Sequence, residues 1–217
     1  MRIKNVIFDL DGTLLDTTEG VLESVKYTAE KLAYPVLPPK ELLRFIGPPI
    51  QQSFMTYYGA SQETAQKAAD IFRTHYKTET LLRAVPYDGI YALCDILKEN
   101  QIKMAVATYK REDYALTLLK HYHFDQYCSP MHGADHYNRL KKEDIVHLCM
   151  EEMKGCTEDT VLAGDTSGDA LAAERAGIPF IAVTYGFGFK DEKDSDEYSN
   201  IGSAKNPLQI ADIIFHY

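Results

Sequence analysis

The stretch Val6-Ile7-Phe8-Asp9-Leu10-Asp11-Gly12-Thr13-Leu14 constrains the fold most. An unbroken apolar run reads as a strand covered on both faces, which is the mark of a parallel sheet. In such sheets the ligand crevice lies past the carboxyl ends of the strands. Asp9 and Asp11 fall at that end of the first strand. Gly12 lets the chain turn sharply, and Thr13 sets a hydroxyl beside the carboxylates. Asp-Gly between apolar runs is also a hairpin signal, which would make both aspartates solvated turn residues. Against that, Leu14-Leu15-Asp16-Thr17 does not alternate as a returning strand would, and helical spacing follows at once.

That spacing runs through Val21, Leu22, Val25, Ala29 and Leu32, with Thr17 or Thr18 as N-cap. Pro39 opens a second helix bearing Leu42, Leu43 and Ile46, and Gly47-Pro48-Pro49 breaks it. Ile50, Phe54 and Tyr57 form a third helix up to Gly59. Ser61 caps a fourth, with Ala65, Ala68, Ala69, Phe72 and Tyr76 on one face. Residues 18–80 contain no strand candidate. From Pro86 the pattern alternates. Strands are predicted over 104–107, 127–132 (weakly), 161–163 and 180–183, between helices near 90–97, 114–119, 145–153, 170–176 and 208–215. The charged stretch 190–203 reads as a solvated loop. The fold class that results is α/β: a doubly wound, parallel-sheet, Rossmann-like core (1–16 and 83–217) with an inserted all-helical cap domain (17–82). The crossings near Asp16-Thr17 and 83–85 are natural hinges.

A chain of 217 residues can bury one sizeable core and a smaller second domain. Its net charge of -9 disfavours nucleic acid and anionic membranes as partners. A small phosphate ester answers instead to local charge and to a metal ion. Cys94, Cys128, Cys149 and Cys156 form no C-x-x-C pair, so they read as reduced thiols of a cytoplasmic protein. There is no signal-peptide h-region, and no apolar run nears the ~18 residues of a membrane span. No interface motif stands out, so a monomer is expected. Cys128, His132 and His136 have the spacing of a helical metal stripe, but Pro130 and Gly133 interrupt any such helix.

Four features fall at strand ends or helix starts: Asp9 with Asp11, Thr108, Lys142, and Gly164-Asp165 with Asp169. They bring carboxylates for a hard cation, a hydroxyl donor and an ammonium to one sheet edge. Mg²⁺ takes oxygen ligands and tolerates several waters. Asp9, Asp11 through its backbone carbonyl, and Asp165 would hold it, with Asp169 supporting the metal site one helical turn on. Asp9 would then attack phosphorus, giving an aspartyl-phosphate. Asp11 would protonate the leaving oxygen and later deprotonate water. Thr108 and Lys142 would hold phosphoryl oxygens. Gly12, Thr13, Asp16, Tyr109 and Lys110, with Gly47 and Pro48 of the cap loop, are the substrate-binding candidates.

These segments resemble the motifs of one family. Asp9-Leu10-Asp11-Gly12-Thr13-Leu14 is similar to the first motif of the haloacid dehalogenase superfamily of phosphatases, and Thr108 after Met104-Ala105-Val106-Ala107 to the second. Lys142, aligned by the following Glu143-Asp144-Ile145 in preference to Lys141, resembles the third. Gly164-Asp165-Thr166-Ser167-Gly168-Asp169, followed by Ala176-Gly177-Ile178, resembles the fourth. The helical insertion, Gly47-Pro48-Pro49 and the segment from Val183 to Gly188 resemble the phosphoglycolate phosphatase-like branch with a C1-type cap. Tyr109 departs from the pattern, since many relatives carry Ser or Asn there. The resemblance implies Mg²⁺, Asp9 as nucleophile, Asp11 as acid/base and a cap that closes over a small phosphorylated metabolite. The expected function is a Mg²⁺-dependent phosphatase, like a phosphoglycolate phosphatase or a 5'-nucleotidase. Its rivals are a phosphomutase of the β-phosphoglucomutase type and a non-catalytic phospho-ligand binding module.

Overall fold

A computed structural model of the chain describes residues 3–135 and 139–217, so His136 lies outside the described residues. The elements in order are β1 (Asn5–Phe8), β2 (Leu15–Asp16), α1 (Thr18–Lys31), α2 (Pro39–Leu42), α3 (Ile50–Tyr58), α4 (Gln62–His75), β3 (Val85–Pro86), α5 (Ile90–Glu99), β4 (Lys103–Arg111) and α6 (Glu112–His121). They continue with β5 (Cys128–Ala134), α7 (Lys142–Met153), β6 (Thr160–Gly164), α8 (Ser167–Ala176), β7 (Phe180–Val183), α9 (Glu192–Ser195), β8 (Ser203–Ala204) and α10 (Pro207–His216). The chain divides into two compact units, 1–16 with 86–217, and 17–85.

The first unit is built on a six-stranded sheet in the order β5-β4-β1-β6-β7-β8. Every described pairing in it is parallel. β1 sits between β4 and β6, which is why Val6, Ile7 and Phe8 are completely buried. Phe8 is level with Val106 and Ala163, so the residues just after each strand emerge at one edge. One apolar layer joins Ile7, Ala105 and Leu162 to Ile145 and Cys149 of α7 and to Ala172 and Ala173 of α8. Burying the Ile and Leu side chains of this layer contributes about 1.5–3 kcal/mol each, and the small alanines let α7 and α8 pack close, which anchors both helix N-termini beside the strand ends.

β4 is longer than the pattern 104–107 indicates. It runs on to Arg111, and between Ala107↔His132 and Arg111↔Ala134 it spends four steps against two of β5. The irregularity holds Thr108, Tyr109 and Lys110. Such bulges bend a strand and re-aim its side chains. The stretch 190–203 is not simply a solvated loop. Asp191 caps the short α9 through a bond from the Asp194 amide, and buried Ser195 meets Ser203 Oγ at 2.7 Å. β8 is only two residues long and leaves no periodic signal.

The second unit is helical, as its spacing indicates. Ser61 accepts a capping bond from Thr64 N (3.2 Å), and α3 ends at Gly59 in the left-handed conformation. α1 is tied to a π-helical turn (Tyr76–Thr80) by buried Ser24, whose hydroxyl meets Thr80 Oγ1 at 2.7 Å and His75 Nδ1 at 3.0 Å. Phe45, Phe54 and Tyr58 pack as an aromatic core. Gly47 and Pro48 lie exposed on the loop before α3. Among the described residues no helix is long and apolar enough to cross a membrane.

Candidate active site

Asp9 leaves β1 with its amide still bonded to Ala163 O (2.9 Å), which fixes its direction at the sheet edge. Its carboxylate is nearly buried and accepts from Lys142 Nζ at 2.5 Å through Oδ1. Lys142 is the first residue of α7. Its ammonium also meets Asp169 Oδ1 at 2.8 Å. Lys141 lies one position earlier and is exposed, so only Lys142 reaches the cluster.

Asp169 stands in the first turn of α8, in a capping box with Thr166. Its Oδ2 accepts from Thr166 N (3.0 Å) and Thr166 Oγ1 (2.6 Å). Both Asp169 oxygens therefore already hold donors. That makes it a support for Lys142 before it is a cation ligand. Asp165 is fully buried. Its Oδ2 accepts from the amides of Phe187 (2.7 Å) and Gly188 (3.1 Å), whereas Oδ1 has no hydrogen-bond partner among the described residues.

Gly12 turns the chain past Asp165 at φ 83°, and a Cβ on it would lie 2.2 Å from Asp165 Oδ2. Only glycine fits there, on both conformational and steric grounds. Thr13 is buried. Its carbonyl accepts from Tyr185 OH (2.9 Å), and its hydroxyl has no partner among the described residues. Thr108 is buried in the β4 irregularity and accepts from Lys110 N (3.2 Å). Tyr109 is exposed, and Asp16 is half-buried at the end of β2. Lys110 does not project into open solvent. Its Nζ bonds both carboxylate oxygens of Asp11 at 3.1 Å, with little of the side chain exposed. Asp11 is thus turned to Lys110, and the carboxylates that gather are those of Asp9, Asp165 and Asp169. One oxygen from each lies within 4.8 Å of the others.

The electrostatics of this cluster are unbalanced. Three buried carboxylates face one ammonium, that of Lys142. Burial pushes the Asp9 carboxyl up to about 6, with Asp169 and Asp11 adding to the rise and Lys142 opposing it. Burial likewise holds Asp165 well above the usual carboxylate range, helped by the charges of Asp169 and Asp9. Burial works against the Lys142 charge, yet the same two carboxylates hold its pKa above the ordinary value. Buried anions in excess need a counter-charge. A divalent cation with oxygen preference would supply it, and Asp165 Oδ1 is a buried acceptor still lacking a donor. The residues present therefore fit Mg²⁺.

Two contributions were not evident from side-chain spacing. The Phe187 and Gly188 donors are backbone amides, which no residue type announces. Thr166, by contrast, begins a T-x-x-D capping pattern that was readable.

A parallel α/β sheet with a buried carboxylate cluster at its carboxyl edge is an arrangement a phosphate-ester hydrolase can use, and comparison with known proteins shows a hydrolase of that class. The chain belongs to the haloacid dehalogenase-like hydrolases, whose family profile matches residues 6–183. It is 33% identical over 193 residues to a 5'-nucleotidase of Pseudomonas aeruginosa, covering 88% of this chain and 87% of that one. It is 31% identical to a phosphoglycolate phosphatase of Agrobacterium fabrum, covering 83% and 80%. A crystal structure of a protein described as a predicted phosphatase from Clostridium acetobutylicum superposes with a TM-score of 0.91 at 32% identity, covering 100% of both chains.

Proposed function

We propose that this hydrolase is a Mg²⁺-dependent phosphatase of small phosphorylated metabolites, working through an aspartyl-phosphate on Asp9. The observation that carries the reading is the buried excess of carboxylate around Asp9, with Asp165 Oδ1 unpartnered. Asp9, Asp165 and the Asp11 carbonyl would hold Mg²⁺, which supplies the positive charge that lets a carboxylate approach an anionic phosphate.

Lys142 holds the Asp9 carboxylate through Oδ1, and Asp9 attacks phosphorus. As the Asp9 oxygen–phosphorus bond forms, the bond from phosphorus to the leaving oxygen breaks. Asp11, protonated on an oxygen that has given up its bond from Lys110, gives the leaving oxygen its proton. Asp11 then takes a proton from water as the water attacks phosphorus, which releases inorganic phosphate and restores Asp9. Lys110 fixes the direction of the Asp11 carboxylate. Thr108 and Lys142 offer a hydroxyl and an ammonium to the phosphoryl oxygens. The unit 17–85, with Gly47 and Pro48, is the candidate source of substrate choice, and a 5'-nucleotidase and a phosphoglycolate phosphatase among the relatives point to phosphomonoesters.

Phosphate release from a panel of phosphomonoesters, with and without Mg²⁺, tests the reading. Release should depend on Mg²⁺ and concentrate on a few compounds. Asp11→Asn should slow turnover by about 10²–10⁴-fold and accumulate phospho-enzyme visible by intact mass. No release from any compound, by folded protein that binds Mg²⁺, would turn the assignment to a mutase or a binding module.

Cation affinity should also depend on pH. Asp9 has a folded pKa of about 6, above its ordinary 3.8. Below about pH 6 a proton therefore competes with Mg²⁺ for Asp9, and the raised Asp165 adds to the competition. Apparent affinity should fall about tenfold per pH unit for each proton displaced. Titration calorimetry from pH 7.5 to 5.5 in two buffers reads both the affinity and the released protons. An affinity flat across that range would remove Asp9 and Asp165 from the ligand set.

A further inference from the structure

The segment after β7 is pinned at both ends onto the catalytic edge. Tyr185 donates its hydroxyl to Thr13 O (2.9 Å) and packs edge-on against Tyr87, with ring centroids 4.8 Å apart. Four residues on, the Phe189 amide bonds Asp165 O (2.8 Å), and the Phe189 ring is buried. Between these anchors the backbone lies directly on the Asp165 carboxylate. A Cβ on Gly186 would sit 2.3 Å from Gly12 O and 2.5 Å from Asp165 Oδ2, and one on Gly188 would sit 2.3 Å from Asp165 O. The Phe187 and Gly188 amides are thereby held at Oδ2. The carboxylate has no room to swing and no cheap way to release that oxygen.

The rest of the cluster is similarly committed. Lys142 occupies Asp9 Oδ1 and Asp169 Oδ1, and Thr166 occupies Asp169 Oδ2. Asp165 Oδ1 is buried without a donor. Asp165, whose Oδ2 already accepts two amides, can thus present only Oδ1 to a cation, within a set of carboxylates that are partly engaged. Mg²⁺ accepts such a set, because it is small, octahedral and keeps several waters. Ca²⁺ prefers six to eight oxygens and commonly takes a carboxylate through both.

We propose that the 185–188 loop is a cation-selectivity element: its Phe187 and Gly188 amides hold Asp165 to a single available oxygen and so favour Mg²⁺ over Ca²⁺. This rests on the reading of Asp165 as a cation ligand. The amides act through Asp165, and they are positioning groups.

The test is calorimetric titration of the metal-free full chain with Mg²⁺ and with Ca²⁺, for wild type, Phe187→Pro and Asp165→Asn. Phe187→Pro deletes one of the two donors at Oδ2. The Ca²⁺-to-Mg²⁺ affinity ratio should rise about tenfold, the equilibrium equivalent of one charge-assisted hydrogen bond. An unchanged ratio in folded Phe187→Pro overturns the proposal. Should that variant not fold, amide hydrogen exchange of the Mg²⁺-loaded wild type decides. Slow exchange at Phe187 and Gly188 supports the clamp, and exchange as fast as an open loop's overturns it. Asp165→Asn separates the two levels, since Mg²⁺ binding equal to wild type there would remove the ligand reading itself and not only the role of the loop.

Discussion

Asp9→Asn should lower phosphate release by roughly 10⁴-fold or more, the scale on which removal of a covalent nucleophile acts. The amide keeps the shape of the carboxyl but cannot form the acyl-phosphate. The same substitution should leave the metal-free protein at least as stable near pH 7.5. In the wild type, burial raises Asp9 from 3.8 to about 6, so the folded state disfavours its charge. That shift corresponds to about 3 kcal/mol at most. The sign follows from linkage: stability is fully present below the unfolded value and is lost as pH rises through the folded one. A neutral Asn escapes that loss. Thermal melts with EDTA, beside an assay with Mg²⁺, measure both effects. Retained turnover in Asp9→Asn would remove the covalent mechanism, and a large drop in melting temperature would mean that the Asp9–Lys142 bond outweighs the burial penalty.

Lys142→Met should be the more damaging change to the fold. Lys142 is the shared ammonium of Asp9 and Asp169, at 2.5 and 2.8 Å. Removing one partner from a buried ion pair typically costs about 3–5 kcal/mol. The cost should depend on pH. Lys142 opposes the rise of the Asp9 pKa, so its loss moves that carboxyl higher still. At pH 5, below the folded value of about 6, Asp9 is already largely protonated in the wild type and loses little when the ammonium goes, whereas at pH 8 the wild-type carboxylate is charged and its loss of the ammonium carries the full cost. Denaturant unfolding of the metal-free variant at both pH values reads the difference. Equal destabilisation at the two would show that packing of the lysine stem is the main contribution, with charge secondary. Turnover should fall about 10²–10³-fold as well, since the ammonium faces the phosphoryl oxygens in the proposed mechanism.

The interactions behind these predictions differ in how far they could be read from the chain. The apolar run of β1 implied a strand buried on both faces, and helical spacing around Val21, Phe54 and Ala68 marked an inserted helical block, because those patterns are one-dimensional. Asp9 and Asp165 were traceable to one edge because parallel strands all end on the same side of a sheet. The irregularity in β4 was not traceable: it depends on the register against β5, and it is what brings Lys110 back to Asp11. α9 and β8 were too short to carry a period. Tertiary structure alone assigned most of the oxygens. It gave one Asp9 oxygen and one Asp169 oxygen to Lys142, and Asp165 Oδ2 to two amides of a loop some twenty residues on, while the local capping pattern already placed the other Asp169 oxygen on Thr166. The order of residues names the carboxylates. Which of their lone pairs stay available depends on donors that include backbone N–H groups, and these are the same chemical group at nearly every position in the chain.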